Sequence, residues 1–232
     1  PGTTWSKATT GRESTLAIKT NGTLWVWGQG AKGTIGNNND ANYSSPVQVP
    51  GTTWRSVSTG GAFHATVATK TDNTLWTFGA NNHGQLGLNN KTYYSSPVQI
   101  PGTTWVDAIT TGYNMTATKT DGSLWRWGYN ASGAVGNNNT SPGYSSPIQI
   151  PGTWETSRDY FANTTYGANG SCQAIKTDGT LWSWGYQSER GELGHNDRSA
   201  RSSPKQVGSE TGWSQVGEIR TGYLALWTDY TP

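Results

Sequence analysis

The chain has 232 residues, a formal net charge of +2 at pH 7, 13 tryptophans and 31 glycines, and only 13% of its residues are charged. This composition excludes a coiled coil or a helical bundle, which need many charged helix-forming residues, and it disfavours disorder because the aromatic residues can build a core. No apolar run reaches the length of a transmembrane helix, and a single cysteine allows neither an internal disulfide nor a cysteine-based metal site. The composition favours an all-β protein packed by tryptophan.

Four short phrases recur in a fixed order with a period of about 50 residues. The chain opens on the first phrase without an initiator methionine or a signal-like segment, so we expect a processed or excised chain, or one whose start was not recorded. Pro-Gly-Thr-(Thr)-Trp ends at Trp5, Trp54, Trp105 and Trp154, with a degraded copy ending at Trp213. Leu-Trp-x-(Trp/Phe)-Gly begins at Leu24, Leu75, Leu124 and Leu181, Gly-x-(Ile/Leu/Val)-Gly at Gly33, Gly84, Gly133 and Gly191, and Ser-Ser-Pro-x-Gln-(Val/Ile) at Ser44, Ser95, Ser145 and Ser202. Such regularity indicates a repeat architecture.

Each repeat predicts a meander of short strands. In the first, the alternating segments Thr15–Thr20 and Thr23–Trp27 are joined by Asn21-Gly22, and the equivalent pairs are Asp72-Asn73, Asp121-Gly122 and Asp178-Gly179. These pairs favour a two-residue type I′ hairpin, in which both central residues have positive φ. The proline of the last phrase predicts an edge strand, where a missing N–H is tolerated.

About four strands per repeat of this length is typical of a β-propeller blade. We therefore predict an all-β fold, a propeller of four-stranded blades with approximate repeats 1–50, 51–101, 102–151 and 152–207 and a partial repeat 208–232. The paired tryptophans are predicted to pack between blades. Because four and a half repeats cannot close a ring, we expect an arc, a small ring with an incomplete blade, or part of a larger propeller, with self-association or completion by another chain at the open edges.

The phrases TDGTLWSWG (177–185), GQLG (84–87) and SSPVQV (44–49) together resemble the repeats of the regulator of chromosome condensation family, the tubulin-suppressor-like propellers. The Asn- and Thr-rich, low-charge variant with PGTTW linkers is similar to bacterial and bacteriophage copies. The broader resemblance implies a propeller, and the narrower one implies a virion or surface protein rather than a nuclear one. Two departures are visible: only His64 keeps the family's His before the Thr-Asp-Gly turn, and the family's rings usually have seven blades.

Catalytic signals are poor. The three histidines (His64, His83 and His195) lie at different repeat positions, and no nucleophile-elbow phrase accompanies any serine. The acidic residues form no calcium-loop pattern, and the Gly-x-x-Gly turns precede no helix that could bind phosphate. We predict that the chain is not an enzyme and has no cofactor and no metal.

Differences between repeats locate the candidate binding residues. The fourth repeat carries about eight extra residues within 155–170, and this stretch includes Tyr160, Phe161 and Tyr166. It is suited either to recognition or to covering a blade edge or filling a gap. Tyr129 and Tyr186 follow Leu-Trp-x-Trp-Gly in two repeats and predict an aromatic rim. Arg198 and Arg201 belong to a basic cluster with Arg190 and Lys205, which is either a solvated rim or an anion-binding patch.

The favoured function is a structural or adhesive protein on a bacteriophage virion or a bacterial surface, contacting a protein or glycan partner through loops and rim. One alternative is an intracellular regulator, located in the cytoplasm, that acts on a small GTPase or chromatin. A carbohydrate-binding lectin is the other. The small net charge disfavours a nucleic-acid partner, and membrane insertion is not expected.

Overall fold

The computed structural model describes residues 4–60, 65–110, 113–166, 169–187, 190–219 and 222–227. These residues form strands and two single-turn 3₁₀ helices, Ala31–Gly33 and Arg158–Tyr160. The strands are β1 Trp5–Thr10, β2 Ser14–Lys19, β3 Leu24–Gly28, β4 Tyr43–Gln48, β5 Trp54–Thr59, β6 Ala65–Lys70, β7 Leu75–Gly79, β8 Tyr94–Ile100, β9 Trp105–Thr110, β10 Asn114–Lys119, β11 Leu124–Tyr129, β12 Gly143–Ile150, β13 Phe161–Tyr166, β14 Asn169–Ile175, β15 Leu181–Gly185, β16 Arg201–Gln206, β17 Trp213–Ile219 and β18 Gly222–Trp227. The predicted all-β class is confirmed.

Consecutive strands pair antiparallel into separate sheets. Blade 1 is β1–β4, blade 2 is β5–β8, blade 3 is β9–β12, blade 4 is β13–β16, and β17 pairs with β18 as a half-blade. The first strands of neighbouring blades contact one another, so they line the axis, and the fourth strands form the outer rim. In the described residues no strand pairing links blade 1 to the half-blade. Four full blades and a half-blade, an open propeller arc, confirm the predicted architecture.

The turn that joins the second and third strands differs from the predicted one. Gly22 has φ 75°, but Asn21 does not have positive φ, so the type I′ prediction is wrong. The amide of Gly22 donates to the carbonyl of Lys19 and the amide of Lys19 donates to Thr23, which defines a type I turn closed by a left-handed residue. The Asn21 carboxamide favours this geometry because its Oδ1 accepts from the amide and the hydroxyl of Thr23.

Each blade packs on the next through its second aromatic residue. The indole of Trp127 in blade 3 donates from Nε1 to the carbonyl of Gln85 in blade 2, 2.8 Å away. A Cβ added to Gly87 would lie 2.7 Å from that nitrogen, so glycine gives the ring its space. Trp184 lies against Gly136 in the same way. The predicted interblade packing is therefore confirmed for these rings.

The rim strands contain the repeated prolines Pro46, Pro97, Pro147 and Pro204, in keeping with the predicted edge position. The cores between blades contain Leu, Ile and Val with the linker tryptophans Trp54, Trp105 and Trp154. Within the described residues there is no helix of a length and apolarity that could span a bilayer.

Candidate protein-binding surface

One face of the arc carries the loops that differ most between blades. We call it the loop face: it contains the turns between first and second strands and the long connections between third and fourth strands. In blades 2, 3 and 4 a buried side-chain amide holds the long connection between the third and fourth strands. Asn81 accepts from the amide of Leu86 at 2.9 Å and donates to the carbonyls of Asn90 and Thr92 at 3.0 Å. Asn130 and Gln187 serve the same purpose in the next two blades, so these amides support loops and are not free for a ligand.

An aromatic cluster lies on the loop face where blade 2 meets blade 3. The ring of His83 is 4.1 Å from the ring of Tyr113 and 5.1 Å from that of Tyr129, centroid to centroid. The rings of Tyr113 and Tyr129 are 6.0 Å apart. Tyr93 is exposed beside them and donates its hydroxyl to Asn82, 2.5 Å away. We name His83, Tyr93, Tyr113 and Tyr129 the aromatic cluster.

Backbone geometry fixes two of these rings. The amide of Tyr129, the last residue of β11, donates to the carbonyl of Tyr113 at 3.0 Å. Gly128 permits this approach, because a Cβ there would lie 1.9 Å from the same carbonyl oxygen. The connection between β7 and β8 brings His83 across the junction from blade 2. The cluster therefore exists only when two blades are packed together.

Burial favours the uncharged forms of two groups in the aromatic cluster, His83 and Tyr113. Burial lowers the pKa of His83, and the positive charge of Lys91 lowers it further. Burial raises the pKa of Tyr113, and the neighbouring Tyr129 and Tyr93 add to that effect. The cluster thus presents aromatic surface with hydroxyl and imidazole groups at its edge, a combination enriched in protein interfaces.

The next junction lacks this arrangement although it repeats the sequence phrases. Tyr186 occupies the position of Tyr129 and its amide donates to Gly170, but Gly170 and Ser132 replace Tyr113 and His83. Tyr186 is half-buried on the loop face, and the residues at the positions of Tyr113 and His83 carry no aromatic ring there.

The extra segment of the fourth repeat enters the axis of the arc. Its 3₁₀ turn contacts β9 and β17, and Arg158 donates to the carbonyl of Val57 in blade 2, 3.2 Å away. Phe161 is 2% exposed and packs in the core between blades 3 and 4, so it has no free surface for a partner. Tyr160 is half-buried against the apolar cluster of Ala162, Ile175, Leu181 and Val216, between blade 4 and the half-blade. The side chain of Tyr166 lies outside the described residues, although its backbone pairs with Asn169 in β13–β14.

The predicted basic cluster contains a carboxylate. Arg201 forms an ion pair with Asp197, and the ammonium of Lys205 is 3.9 Å from the same carboxylate. The amide of Ser199 lowers the pKa of Asp197 most, and Arg201 and Lys205 lower it further. Arg198 is exposed. This neutralisation leaves a weaker positive patch than the sequence indicates.

The structure therefore divides the sequence-predicted residues among three places. Tyr129 and Tyr186 lie on the loop face, Tyr160 and Phe161 lie near the axis, and Arg198 and Arg201 lie on blade 4. Sequence reasoning missed Tyr93 and Tyr113 and gave His83 no role. These residues come from two repeats, and no single repeat shows that they meet. His64 lies outside the described residues, and no group of three or more His, Cys, Asp or Glu side chains among the described residues could hold a metal ion.

An arc of four-stranded antiparallel blades, with variable loops on one face, defines a β-propeller binding scaffold. The regulator of chromosome condensation (RCC1) repeat matches residues 21–67, 72–118 and 178–217, which is more than half of the chain. The chain belongs to this family. Each matched unit begins near the turn between the second and third strands of one blade and ends within the next, so the family repeat straddles a blade junction.

Curated and solved relatives agree with this assignment. Human protein RCC2 is 35% identical over 88 residues, which are 37% of this chain and 17% of the relative. The crystal structure of human WBSCR16 superposes with a TM-score of 0.80 at 20% identity, covering 97% of this chain and 58% of that one. Saccharomyces cerevisiae Prp20p, whose structure was described with its binding properties to Gsp1p and histones, gives 0.77 at 16% identity, with 97% and 56% covered. The chain thus spans little more than half of these solved relatives and less of the curated one.

Proposed function

We propose that this chain is a non-catalytic, protein-binding propeller and that its partner docks on the loop face at the aromatic cluster. The cluster is the observation that supports the proposal most directly. Aromatic side chains that converge at one place, partly exposed and uncharged, are the residues that dominate binding energy in protein interfaces. Their position at a blade junction also gives them a rigid base, which reduces the entropy lost on binding.

The relatives favour a regulator over a virion protein. Prp20p is described with Gsp1p and histones, and yeast RCC1 was crystallised bound to Kap60. Histones are the protein component of chromatin, so the intracellular alternative, a regulator that engages a small GTPase or chromatin, is the class to test first. None of the relatives named above favours a bacteriophage virion, a bacterial surface or a glycan partner, and those interpretations remain predictions from the sequence.

The proposal is tested by binding measurements on the whole chain. Purified histone octamers and a panel of nucleotide-free small GTPases are immobilised, and association is followed by biolayer interferometry. We expect saturable binding to one of them, weakened at least tenfold by Tyr129→Ala, because one aromatic ring of the cluster is lost.

Tyr186→Ala is the matched control, since it removes a tyrosine from the equivalent position of a junction without the cluster. Circular dichroism shows whether both variants keep the fold. Equal losses in the two variants would contradict the assignment of the aromatic cluster, and the absence of binding to every protein tested would contradict the partner class.

A further inference from the structure

Two cavities of similar size lie at equivalent positions on the outer rim, one between blades 2 and 3 and one between blades 3 and 4. Their volumes are about 490 Å³ and about 450 Å³. We call them junction grooves. They share no lining residue with the aromatic cluster. Their equivalent lining residues are Trp125 and Trp182, Lys119 and Lys176, Asn89 and Asn138, Gln99 and Gln149, Ser146 and Ser203, and Pro147 and Pro204.

The tryptophan of each junction groove is a fixed, half-buried platform. The indole Nε1 of Trp125 donates to Ser123 at 2.8 Å, and that of Trp182 donates to Thr180 at 2.7 Å. The ammonium of Lys119 lies 4.1 Å from the ring centroid of Trp125. Since the N–H is already used inside the blade and the lysine ammonium lies over the ring, the indole can offer a ligand only the π surface that the lysine leaves uncovered, and no hydrogen bond.

Amide and hydroxyl groups form the polar wall of the groove between blades 2 and 3. Asn89 has a left-handed backbone (φ 57°), and its backbone N–H donates to the carbonyl of Ser145 in the next blade at 2.6 Å. Its Oδ1 accepts from the hydroxyl of Ser146 at 3.3 Å. Gln99 is exposed and lines the same groove. The groove therefore combines polar groups with an aromatic ring.

The lysine completes the groove as a hydrogen-bond donor. In the described residues no carboxylate lies within 4.0 Å of the Lys119 ammonium, but Asp121 of the adjacent turn is close enough for Lys119 to lower its pKa, after the larger effect of Ser123. The charge is thus partly balanced. A ligand that depended on strong positive potential would find little of it here.

We propose that each junction groove binds a pyranose ring of a saccharide, stacked on the tryptophan and hydrogen-bonded by the amides, the serine and the lysine. A volume of this order suits a small ligand. Because the groove repeats around the rim, several grooves could bind one polysaccharide chain at the same time, which raises the overall affinity.

The first junction provides a third copy and the first blade an internal control. The same set recurs between blades 1 and 2 as Asn38, Gln48, Lys70, Trp76 and Ser96. There the Lys70 ammonium is 4.3 Å from the Trp76 ring centroid, and the Ser96 hydroxyl donates to Asn38 at 3.3 Å. Trp25 has the same stack, with Lys19 at 4.1 Å from its ring. No described residue of another blade faces Trp25 with the asparagine and glutamine wall.

The test is an NMR titration that follows the indole N–H signals of the whole chain, assigned through single Trp→Phe variants. The probes are cellotetraose, a hyaluronan tetrasaccharide and a proline-rich decapeptide. We expect saturable shifts of the Trp76, Trp125 and Trp182 signals with the saccharides and an unchanged Trp25 signal. Tighter binding of the hyaluronan fragment would assign a contact between its carboxylate and the lysine, and equal binding would assign a neutral pyranose site.

A triple variant, Gln48→Ala with Gln99→Ala and Gln149→Ala, changes only exposed side chains and should weaken saccharide binding at least fivefold while the spectrum otherwise stays native. Shifts caused by the peptide alone, equal shifts at Trp25, or no shift with any saccharide would overturn the proposal. None of these outcomes depends on the partner of the loop face.

Discussion

Gly133 in blade 3 and Gly191 in blade 4 occupy the same place in the same phrase and have nearly the same backbone, with φ 71° and 76°. A Cβ on Gly133 would lie 2.4 Å from the Cα of Ser202 in the next blade, whereas a Cβ on Gly191 would meet nothing within 4 Å. The difference lies entirely in the neighbour. Each phrase defines its local turn or stack, but an adjacent blade decides whether that turn is buried.

The linker tryptophans show the same contrast. Trp105 is 1% exposed and Trp5 is 42% exposed. Each nevertheless packs edge-to-face on a tryptophan of the third strand of its own blade, Trp125 or Trp25, and each has a lysine over its ring. The stack of tryptophans and lysine thus forms within one blade, whereas burial of the linker tryptophan depends on the neighbouring blade. At the other end, Leu224, Leu226 and Trp227 of the half-blade are exposed. The interior junctions therefore contain most of the stabilising apolar burial.

The largest expected effect tests this contrast at the tryptophans. Trp105→Ala should lower the free energy of unfolding by about 3–5 kcal/mol, because it empties a fully buried site. Trp5→Ala should cost about 1 kcal/mol, the value of an aromatic pair at a solvated position. Urea unfolding followed by circular dichroism measures both. Similar losses in the two variants would show that burial by the neighbouring blade contributes little.

The glycine pair gives the next largest effect. Gly133→Ala should destabilise the chain by about 2–5 kcal/mol, because the left-handed backbone strain adds to overpacking against Ser202. Gly191→Ala keeps only the strain and should cost about 1–2 kcal/mol. The comparison is made by thermal and urea unfolding under one set of conditions. A larger loss at Gly191 would contradict the packing of blade 4 described above.

A buried arginine offers a substitution that should stabilise an interior junction. Arg126 is 0% exposed, and its three guanidinium nitrogens have no hydrogen-bond partner, although the group lies 5.5 Å from the Trp184 ring centroid. The equivalent Thr77 and Ser183 donate to the carbonyls of Leu86 and Leu193. Arg126→Thr should therefore raise the free energy of unfolding by about 1–3 kcal/mol, because it removes an unpaired buried charge and provides the missing hydroxyl.

Thr77→Val is the control for Arg126→Thr. It deletes the equivalent hydrogen bond to Leu86 with little change in volume and should cost about 1–2 kcal/mol. If Arg126→Thr destabilises the protein instead, the guanidinium has a stabilising partner that its contacts do not reveal.

The sequence predicted most of what depends on a single repeat. The phrases beginning at Leu24 and its equivalents located the third strands to within one residue, and the Ser-Ser-Pro phrases located the edge strands. The type I′ prediction failed because Asn21 bonds its own turn instead of adopting positive φ. The aromatic cluster was missed because His83 and Tyr113 approach only after two blades pack. Phe161 was predicted as a candidate partner-binding residue because the sequence does not show that the extra segment enters the axis.

The smallest effect is a pH dependence that compares an interior junction with the last blade. Burial lowers the pKa of His83, assisted by Lys91, and burial is also the largest cause of the lowered pKa of His195, partly offset by its bond to Ser183. Between the ordinary His pKa of about 6.5 and the lower folded value, the unfolded chain binds more protons. The contribution of the two neutral histidines to the free energy of unfolding is therefore fully present above the pKa of the unfolded chain. It is lost as the pH falls through the lower pKa of the folded chain.

We expect the urea concentration at the unfolding midpoint to decrease as the pH is lowered from 7.5 to 5.0. His83→Gln and His195→Gln should each make that decrease smaller. The pH 5.0 limit stays above the range in which Asp72, Asp121 and Asp178 titrate, because turn hydrogen bonds lower their pKa values. Because both imidazoles are only partly buried, the two variants should flatten the curve by comparable amounts. A flattening by His195→Gln alone would mean that the His83 ring is solvated and that the aromatic cluster is looser than its ring distances indicate.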